Sequence, residues 1–240
     1  MQPLGELSVG TDPWSVAERV TRIQEGWRVI KQQLTGFAPP ESFARHTALL
    51  TQILYLINDV ADAAGLMADG EDARLIDAAV NQLPLVTETL GQARGMGTGV
   101  AARGKCATDM RVKLRYLHDN TQRVSADVVQ GIRTTLQRDA GLKVQAETAL
   151  EESDQTTRGF LLMLESRIIN ARQVDIESTE FYNAGTEAIQ HSFTLLDAIN
   201  NALMARLEMR VRQTQQQLWW ARGAALVAVL PAGYLLTLLV

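Results

Sequence analysis

Apolar residues recur along most of the chain at alternating spacings of three and four. The clearest run follows Pro39 and Pro40 and stops at Asp69-Gly70, where a turn is expected. Its seam positions are Phe43, His46, Leu50, Ile53, Ile57, Val60, Ala64 and Met67. This spacing is typical of a helix that packs lengthwise against other helices. Prolines suit a first helical turn and Asp-Gly suits a stop, so a helix is predicted between them.

Five further segments repeat this spacing, and no segment alternates at period two for long enough to form a strand. Their seams are Val16, Val20, Ile23, Trp27, Ile30 and Leu34; Ala79, Leu83, Val86, Leu90, Ala93, Gly97 and Val100; Met110, Leu114, Leu117, Thr121, Val124 and Val128; Leu150, Ser153, Thr157, Phe160, Leu164, Ile168 and Ala171; and Ile189, Phe193, Leu196, Leu203, Leu207 and Val211. The pattern predicts an all-α, elongated bundle of about six long helices. Thr108 is the predicted N-cap of the fourth helix.

The third predicted helix contains a glycine-rich stretch, RGMGTGV, at residues 94–100. A phosphate-binding loop would need a preceding strand and a helix that begins at the glycines. Here the heptad runs through them and places Gly97 on the seam, where a neighbouring backbone can approach closely. We therefore expect packing at this point and no nucleotide site. Pro84, inside the same helix, is expected to bend it.

Charge and composition exclude several classes of function. The formal net charge is −4, whereas a nucleic-acid-binding domain normally shows a basic face, so no nucleic-acid partner is expected. The single cysteine, Cys106, is interpreted as inert and half-exposed, or as a reactive thiol whose pKa Lys105 lowers. His46, His118 and His191 lack the spacing of metal ligands. No catalytic signature is present, so neither enzyme activity nor a cofactor is expected.

The last residues form an apolar run, LWWARGAALVAVLPAGYLLTLLV, at residues 218–240. As a helix these 23 residues would extend about 34 Å, enough to cross a hydrocarbon core of ~30 Å. Trp219 and Trp220 suit a membrane interface. We therefore predict a helical domain over 1–216 and a transmembrane helix over 217–240. The last soluble helix is predicted to enter the bilayer without a break.

Two stretches, ESFARHTALLTQILYLINDVADAAGL and DAAVNQLPLVTETLGQARGMGTGVAARG, resemble the extracytoplasmic sensor region of bacterial methyl-accepting chemotaxis receptors and of related transmembrane kinases and cyclases. FYNAGTEAIQHSFTLLDAINNALMARL, followed by the apolar run, is similar to the end of that region. The resemblance implies four-helix-bundle-like sensor modules, with residues 1–216 in the periplasm, anchored in the inner membrane. It also implies a homodimer formed through helices, and an output half that this sequence lacks.

Two alternatives remain open at the level of sequence. The arginines before the apolar run, with no basic residue after it, favour a cytoplasmic bundle under the positive-inside rule. These are Arg206, Arg210, Arg212 and Arg222. The second alternative is a membrane-anchored scaffolding bundle that binds other helices and no ligand.

Polar residues beside the seams are the candidate ligand contacts. They are Asn58, Asp59 and Asp62 on the second helix and Asn81, Arg94 and Arg103 on the third. If both arginines face one pocket, they suit a small anionic ligand, because guanidinium binds carboxylates and oxyanions through paired hydrogen bonds. The alternative is that these residues form weak surface ion pairs and interhelical hydrogen bonds.

Overall fold

The computed structural model describes the backbone of residues 13–33, 36–66 and 72–238, and the side chains of 16–33, 36–38, 40–66 and 72–219. No strand occurs among these residues, and the predicted all-α class is confirmed. The helices are α1 (Pro13–Gln32), α2 (Pro39–Ala63), α3 (Ala73–Asp77), α4 (Leu83–Arg103), α5 (Thr108–Leu136), α6 (Ala140–Leu164) and α7 (Ser178–Leu238). π-helical turns at Ala78–Gln82 and Glu165–Ile169 join α3 to α4 and extend α6, which leaves six helical rods in the described residues.

Glycine and aspartate fix several helix ends. Gly65 follows α2 and Gly104 follows α4, both with φ of +65°, a left-handed conformation that ends a helix at little steric cost. α2 therefore stops before Asp69-Gly70, which lies outside the described residues. At the start of α6 the Asp139 carboxylate accepts a hydrogen bond of 2.9 Å from the Leu142 N–H. Thr108 is the first residue of α5 and not its N-cap, which is Ala107.

The third rod changes its winding next to Pro84. Within the π-helical turn the Leu83 N–H donates to the Ala78 carbonyl oxygen, and α4 begins at Leu83 with the proline in its first turn. Proline has no N–H to donate and its ring crowds the preceding turn. A wider turn before Pro84 relieves this crowding, and such turns are a known cause of helix bending. The structure thus shows a change of winding before Pro84, and the bend itself stays a prediction.

The helices α4, α5 and α6 pack side by side in that order, and residues 178–199 of α7 contact α4 and α6. The predicted seam of α4 is buried throughout, from Ala79 to Val100. The seams of α5 and α6 are buried from Leu114 to Val128 and from Leu150 to Ile168. α1 pairs with α2, and α2 contacts α4 and the adjoining π-helical turn. Burial of apolar seams, at about 25 cal/mol per Å², is the main stabilising force of such a bundle.

The predicted seam of the last helix is only partly buried, with Leu203 in the core and Ile189, Leu196 and Leu207 half-buried. Phe193 is 49% exposed, and the buried face of α7 is formed by a different set. Its members are Phe181, Gly185, Ala188, Ser192, Leu195 and Ile199. Small residues occupy several core positions of this face, so the bulkier residues next to them dominate the hydrophobic pattern. Over residues 189–196 the sequence pattern consequently favours a stripe one position away from the buried one.

The chain divides into two compact units, Met1–Ile199 and Asn200–Val240. The boundary at 216/217 stays a prediction. α7 itself is one helix of 61 residues. None of the helices, over the residues described, is both long enough and apolar enough to cross a membrane. The predicted transmembrane helix, 217–240, lies outside the described side chains from residue 220 onward.

Candidate functional site

α4 and α7 pack closely where Gly97 of α4 faces the Phe181 ring of α7. A Cβ atom placed on Gly97 would lie 2.3 Å from Cε1 of Phe181, so only glycine fits there. The Phe181 ring is fully buried and lies 5.0 Å, centroid to centroid, from the ring of Phe160. The seam position of Gly97 is confirmed, although a ring and not a backbone occupies the space. Because Gly95, Gly97 and Gly99 lie inside α4, they form no phosphate-binding loop.

A second close contact lies one turn further along α7. A Cβ atom on Gly185 would lie 2.9 Å from both Cβ and Cγ of Arg94. The Arg94 Nη1 donates a hydrogen bond of 2.8 Å to Thr186 Oγ1, and its guanidinium lies 4.7 Å from the centre of the Tyr182 ring. Arg94, a predicted ligand residue, thus joins α4 to α7 through a hydrogen bond and a cation–π contact.

Two of the three predicted ligand residues of α2 have local or neighbouring partners. Asn58 donates to the Leu54 carbonyl oxygen at 3.1 Å, and Asp59 forms an ion pair with Arg19 of α1. Asp62 is exposed at the end of the helix. These contacts are of the weak surface and intrahelical type.

Asn81 lies in the π-helical turn of the third rod, and Arg103 is the last residue of α4. Asn81 donates to Asp77 Oδ1 at 2.7 Å within the π-helical turn, while Arg103 is exposed in the last turn of α4. Arg94 and Arg103 are about 2.5 helical turns apart, which places them on opposite faces of α4. The structure therefore does not bring the two arginines to one pocket. A ligand role for the six residues stays a prediction.

Cys106 has the features of an inert thiol. It is half-buried, and burial raises its pKa above the ordinary value despite the opposing effect of the Arg111 and Arg103 charges. The thiolate is the reactive form, so a raised pKa lowers reactivity. The raised pKa favours the inert alternative, and Lys105 is not among the charges that lower it.

A cleft of about 380 Å³ lies between α5 and α6. His118, Gln122 and Ser125 line it from α5, at spacings of four and three residues that place them on one helical face. Its lining from α6 and the π-helical turn that extends it is Asp154, Thr157, Arg158, Leu161, Leu162 and Glu165. The π-helical turn Glu165–Ile169 forms one end, and such turns often occur at functional sites.

Ion pairs stand at both ends of the cleft. At one end Arg115 Nη1 donates to Glu165 Oε1 at 2.8 Å, and this hydrogen bond lowers the pKa of the carboxyl group. The His118 side chain is buried beside this pair, with Nδ1 2.8 Å from Asp119 Oδ1. At the other end Asp154 accepts a hydrogen bond of 2.7 Å from the Arg158 Nε.

Thr157, between these ends, is 1% exposed, and its hydroxyl oxygen has no hydrogen-bond partner among the described residues. Leaving such a group unpaired in a protein interior costs free energy. Sequence reasoning placed Thr157 in the seam of its helix but did not assign it to a site. The signal that could have identified it is the pair of polar residues, Ser153 and Thr157, among apolar seam positions.

The described part of the chain brings no three His, Cys, Asp or Glu side chains together in the manner of a metal site. Comparisons of the sequence with protein-family models, with curated proteins and with solved structures found no match.

Proposed function

We propose that this chain is the sensing and relay part of a membrane-bound receptor of the chemotaxis type. In this proposal the helical bundle binds a small ligand on the periplasmic side of a bacterial inner membrane. Residues 217–240 form the membrane helix, and α7 carries the resulting movement toward it. The chain acts by binding and conformational change and performs no catalysis.

The observation that carries the proposal is the length of α7. This single helix runs from Ser178 to Leu238, and its first six turns supply buried side chains to the bundle. The sequence from Ala224 to Val240 contains no formally charged residue, which favours a lipid environment. A continuous helix shared between a ligand-responsive bundle and a membrane can transmit a shift of about 1–2 Å.

The contacts of α7 with α4 give the relay a mechanical basis. The Phe181 ring fills the space at Gly97, and Arg94 holds Thr186 and Tyr182. Closely packed contacts of this kind permit discrete arrangements and resist gradual sliding. A ligand shifts the helix only if it binds the two arrangements with different affinity.

The relay is tested by disulfide crosslinking between copies in membranes. Single cysteines at positions 204, 207, 211 and 214 are introduced into full-length chain carrying Cys106→Ala. We expect the relative crosslinking rates at these positions to change when a ligand that binds the chain is added. Identical rates with and without every ligand that binds would overturn the relay.

Membrane insertion is tested separately by carbonate extraction of cell membranes. Val229→Arg places a charge within the apolar run, whereas Val211→Arg places one at a site of α7 that is already exposed to solvent. We expect only Val229→Arg to weaken retention in the membrane, because a charge at the centre of a span costs about 3 kcal/mol on insertion scales. Equal release of both variants and the unmodified chain would contradict insertion.

A second candidate function, a membrane-anchored scaffold that binds other helices, is favoured by one observation. Met204, Val211 and Leu218 are 58%, 55% and 52% exposed on α7 and recur at a seven-residue spacing. Exposed apolar residues at this spacing are typical of a helix–helix interface. A scaffold would give strong crosslinking along this face with rates that no small ligand changes.

A further inference from the structure

Three buried hydroxyl groups lie on the facing sides of α6 and α7. Ser153 Oγ of α6 is 3.4 Å from Ser192 Oγ of α7, and Ser192 donates a hydrogen bond of 2.9 Å to the Ala188 carbonyl oxygen of its own helix. Because the Ser192 hydroxyl has a single proton, it accepts in the pair and Ser153 donates. Thr157 follows Ser153 by one helical turn, is 1% exposed, and its hydroxyl has no partner among the described residues. α6 therefore carries two buried hydroxyl donors one turn apart, and Ser192 engages one of them.

α6 and α7 run antiparallel in a register that two contacts define. Ser153 faces Ser192, and a Cβ atom placed on Gly185 would lie 3.0 Å from Cε2 of Phe160. Seven positions separate these two contacts on each helix, so the register is constant over this stretch. Thr157 consequently lies one turn beyond Ser192 in the direction of the α7 N-terminus. Movement of α7 toward its own N-terminus would bring Ser192 from Ser153 toward Thr157.

We infer that α7 has two registers against α6, in which the Ser192 hydroxyl accepts a hydrogen bond from Ser153 or from Thr157. Each register leaves the other hydroxyl of α6 without this acceptor, so the exchange of hydrogen bonds costs little free energy. A shift of at most one helical turn, about 5.4 Å, exchanges the two registers. The inference rests on the proposed relay and names its second arrangement.

The Phe181 ring makes the observed register the more stable of the two. It fills the space beside Gly97 of α4, and movement of α7 toward its N-terminus carries the ring toward Ala101, one turn further along α4. Ala101 is buried and has the methyl group that Gly97 lacks, so the ring has less room there. The second register is therefore the minor one without ligand, and a ligand populates it by binding it more tightly.

The two registers are distinguished by disulfide formation at the rim of the same interface. His191 Nδ1 lies 3.2 Å from Glu152 Oε2, so Glu152→Cys with His191→Cys reports the observed register. Thr156 lies one turn further along α6 on the same face, so Thr156→Cys with His191→Cys reports the second register. Thr148→Cys with His191→Cys is the matched control, because Thr148 lies one turn in the opposite direction. Each pair is introduced into the full-length chain carrying Cys106→Ala.

Removal of the hydroxyl groups should change the ratio of the 156/191 rate to the 152/191 rate in opposite directions. Ser153→Ala removes the donor of the observed register and should raise this ratio about threefold or more. Thr157→Val keeps the shape of the side chain, removes the donor of the second register and should lower the ratio by about the same factor. Thr194→Val, at an exposed site of α7 whose hydroxyl bonds only its own helix, is the control and should leave the ratio unchanged.

An unchanged ratio in both Ser153→Ala and Thr157→Val, or a change of the same sign in both, would overturn the two registers. So would an equal rise of the 148/191 and 156/191 rates in Ser153→Ala, which indicates general loosening of the interface.

Failure of the two registers differs from failure of the relay. Opposite changes of the ratio, with crosslinking at positions 204–214 that no ligand alters, would support the two registers and oppose the relay. Crosslinking there that responds to a ligand, with an unchanged ratio in both hydroxyl variants, would do the reverse.

Discussion

The Thr121 hydroxyl of α5 donates a hydrogen bond of 2.8 Å to the Thr89 hydroxyl of α4, and both side chains are buried. Thr89 donates in turn to carbonyl oxygens of its own helix, Leu85 and Val86. The two polar residues therefore satisfy each other within an apolar interface. Because such a pair requires one alignment of the helices, it fixes the register of α4 against α5.

Valine substitutions should show this dependence. Thr89→Val leaves the Thr121 hydroxyl buried without its acceptor and should lower the free energy of unfolding by about 1–3 kcal/mol. Thr121→Val should cost less, since Thr89 keeps its backbone acceptors. The double variant should cost less than the sum of the two.

Chemical denaturation of the full-length chain measures all three variants. Thr134→Val, at a half-exposed site of α5 whose hydroxyl bonds only its own helix, is the control and should change stability by less than about 0.5 kcal/mol. Strict additivity would contradict the coupling.

Alanine substitutions at two glycines of α4 should have opposite effects. A Cβ on Gly97 would meet the buried Phe181 ring at 2.3 Å, so Gly97→Ala should destabilise the bundle by about 1–3 kcal/mol. A Cβ on Gly91 meets nothing within 4 Å, so Gly91→Ala should stabilise it by up to about 1 kcal/mol through helix propensity. Denaturation midpoints of the two variants compare the effects within one helix.

The result for Gly97→Ala separates packing from propensity. If Gly97→Ala is as stable as Gly91→Ala, the Phe181 ring is not held against α4 and the contact proposed for the relay is absent. Gly97→Ala with Phe181→Leu should recover part of the lost stability, because the shorter side chain leaves room for the new methyl group.

The all-α class and most of the core could be predicted from the sequence. In α4 the seam residues from Leu83 to Val100 are apolar or glycine, and tertiary packing buries the face that their spacing indicates. In α7 the same reasoning selected Phe193, which is exposed. The core positions of α7 contact close neighbours, and a close contact requires small residues such as Gly185. A hydrophobicity pattern does not detect a buried face when several of its core positions are small residues.

The candidate site was harder to predict for a related reason. Arg94 was assigned to a ligand because it is charged and near the seam, yet its partners are Thr186 and Tyr182, which come from a helix that is distant in sequence. The cleft between α5 and α6 depends on the antiparallel alignment of the two helices, which places Arg115 next to Glu165. Periodicity assigns faces to single helices but does not give the register between them.

Glu88→Gln should stabilise the protein at neutral pH. Burial raises the pKa of Glu88, and the hydrogen bond of 2.7 Å from Gln92 offsets this only in part. An acid with a raised pKa in the folded state loses stability as pH rises from the ordinary value toward the folded value. Glutamine carries no charge and keeps an oxygen that can accept from Gln92. The melting temperature of the variant should exceed that of the unmodified chain at pH 7, and the difference should vanish near pH 4. A difference independent of pH would contradict this account.

Glu165→Gln should have the opposite dependence on pH. The Arg115 hydrogen bond lowers the pKa of Glu165 in the folded state, so the ion pair contributes stability above the ordinary value of 4.5 and loses it as pH falls through the folded value. The variant should therefore be less stable than the unmodified chain at pH 7, and the two should converge as pH falls below 4.5.

Glu151→Gln, at an exposed site of the same rod, is the control. Chemical denaturation at pH 7, 5.5, 4.5 and 3.5 measures the three chains. If the Glu165 and Glu151 variants behave alike, Arg115 does not stabilise the charged form of Glu165 in the folded state.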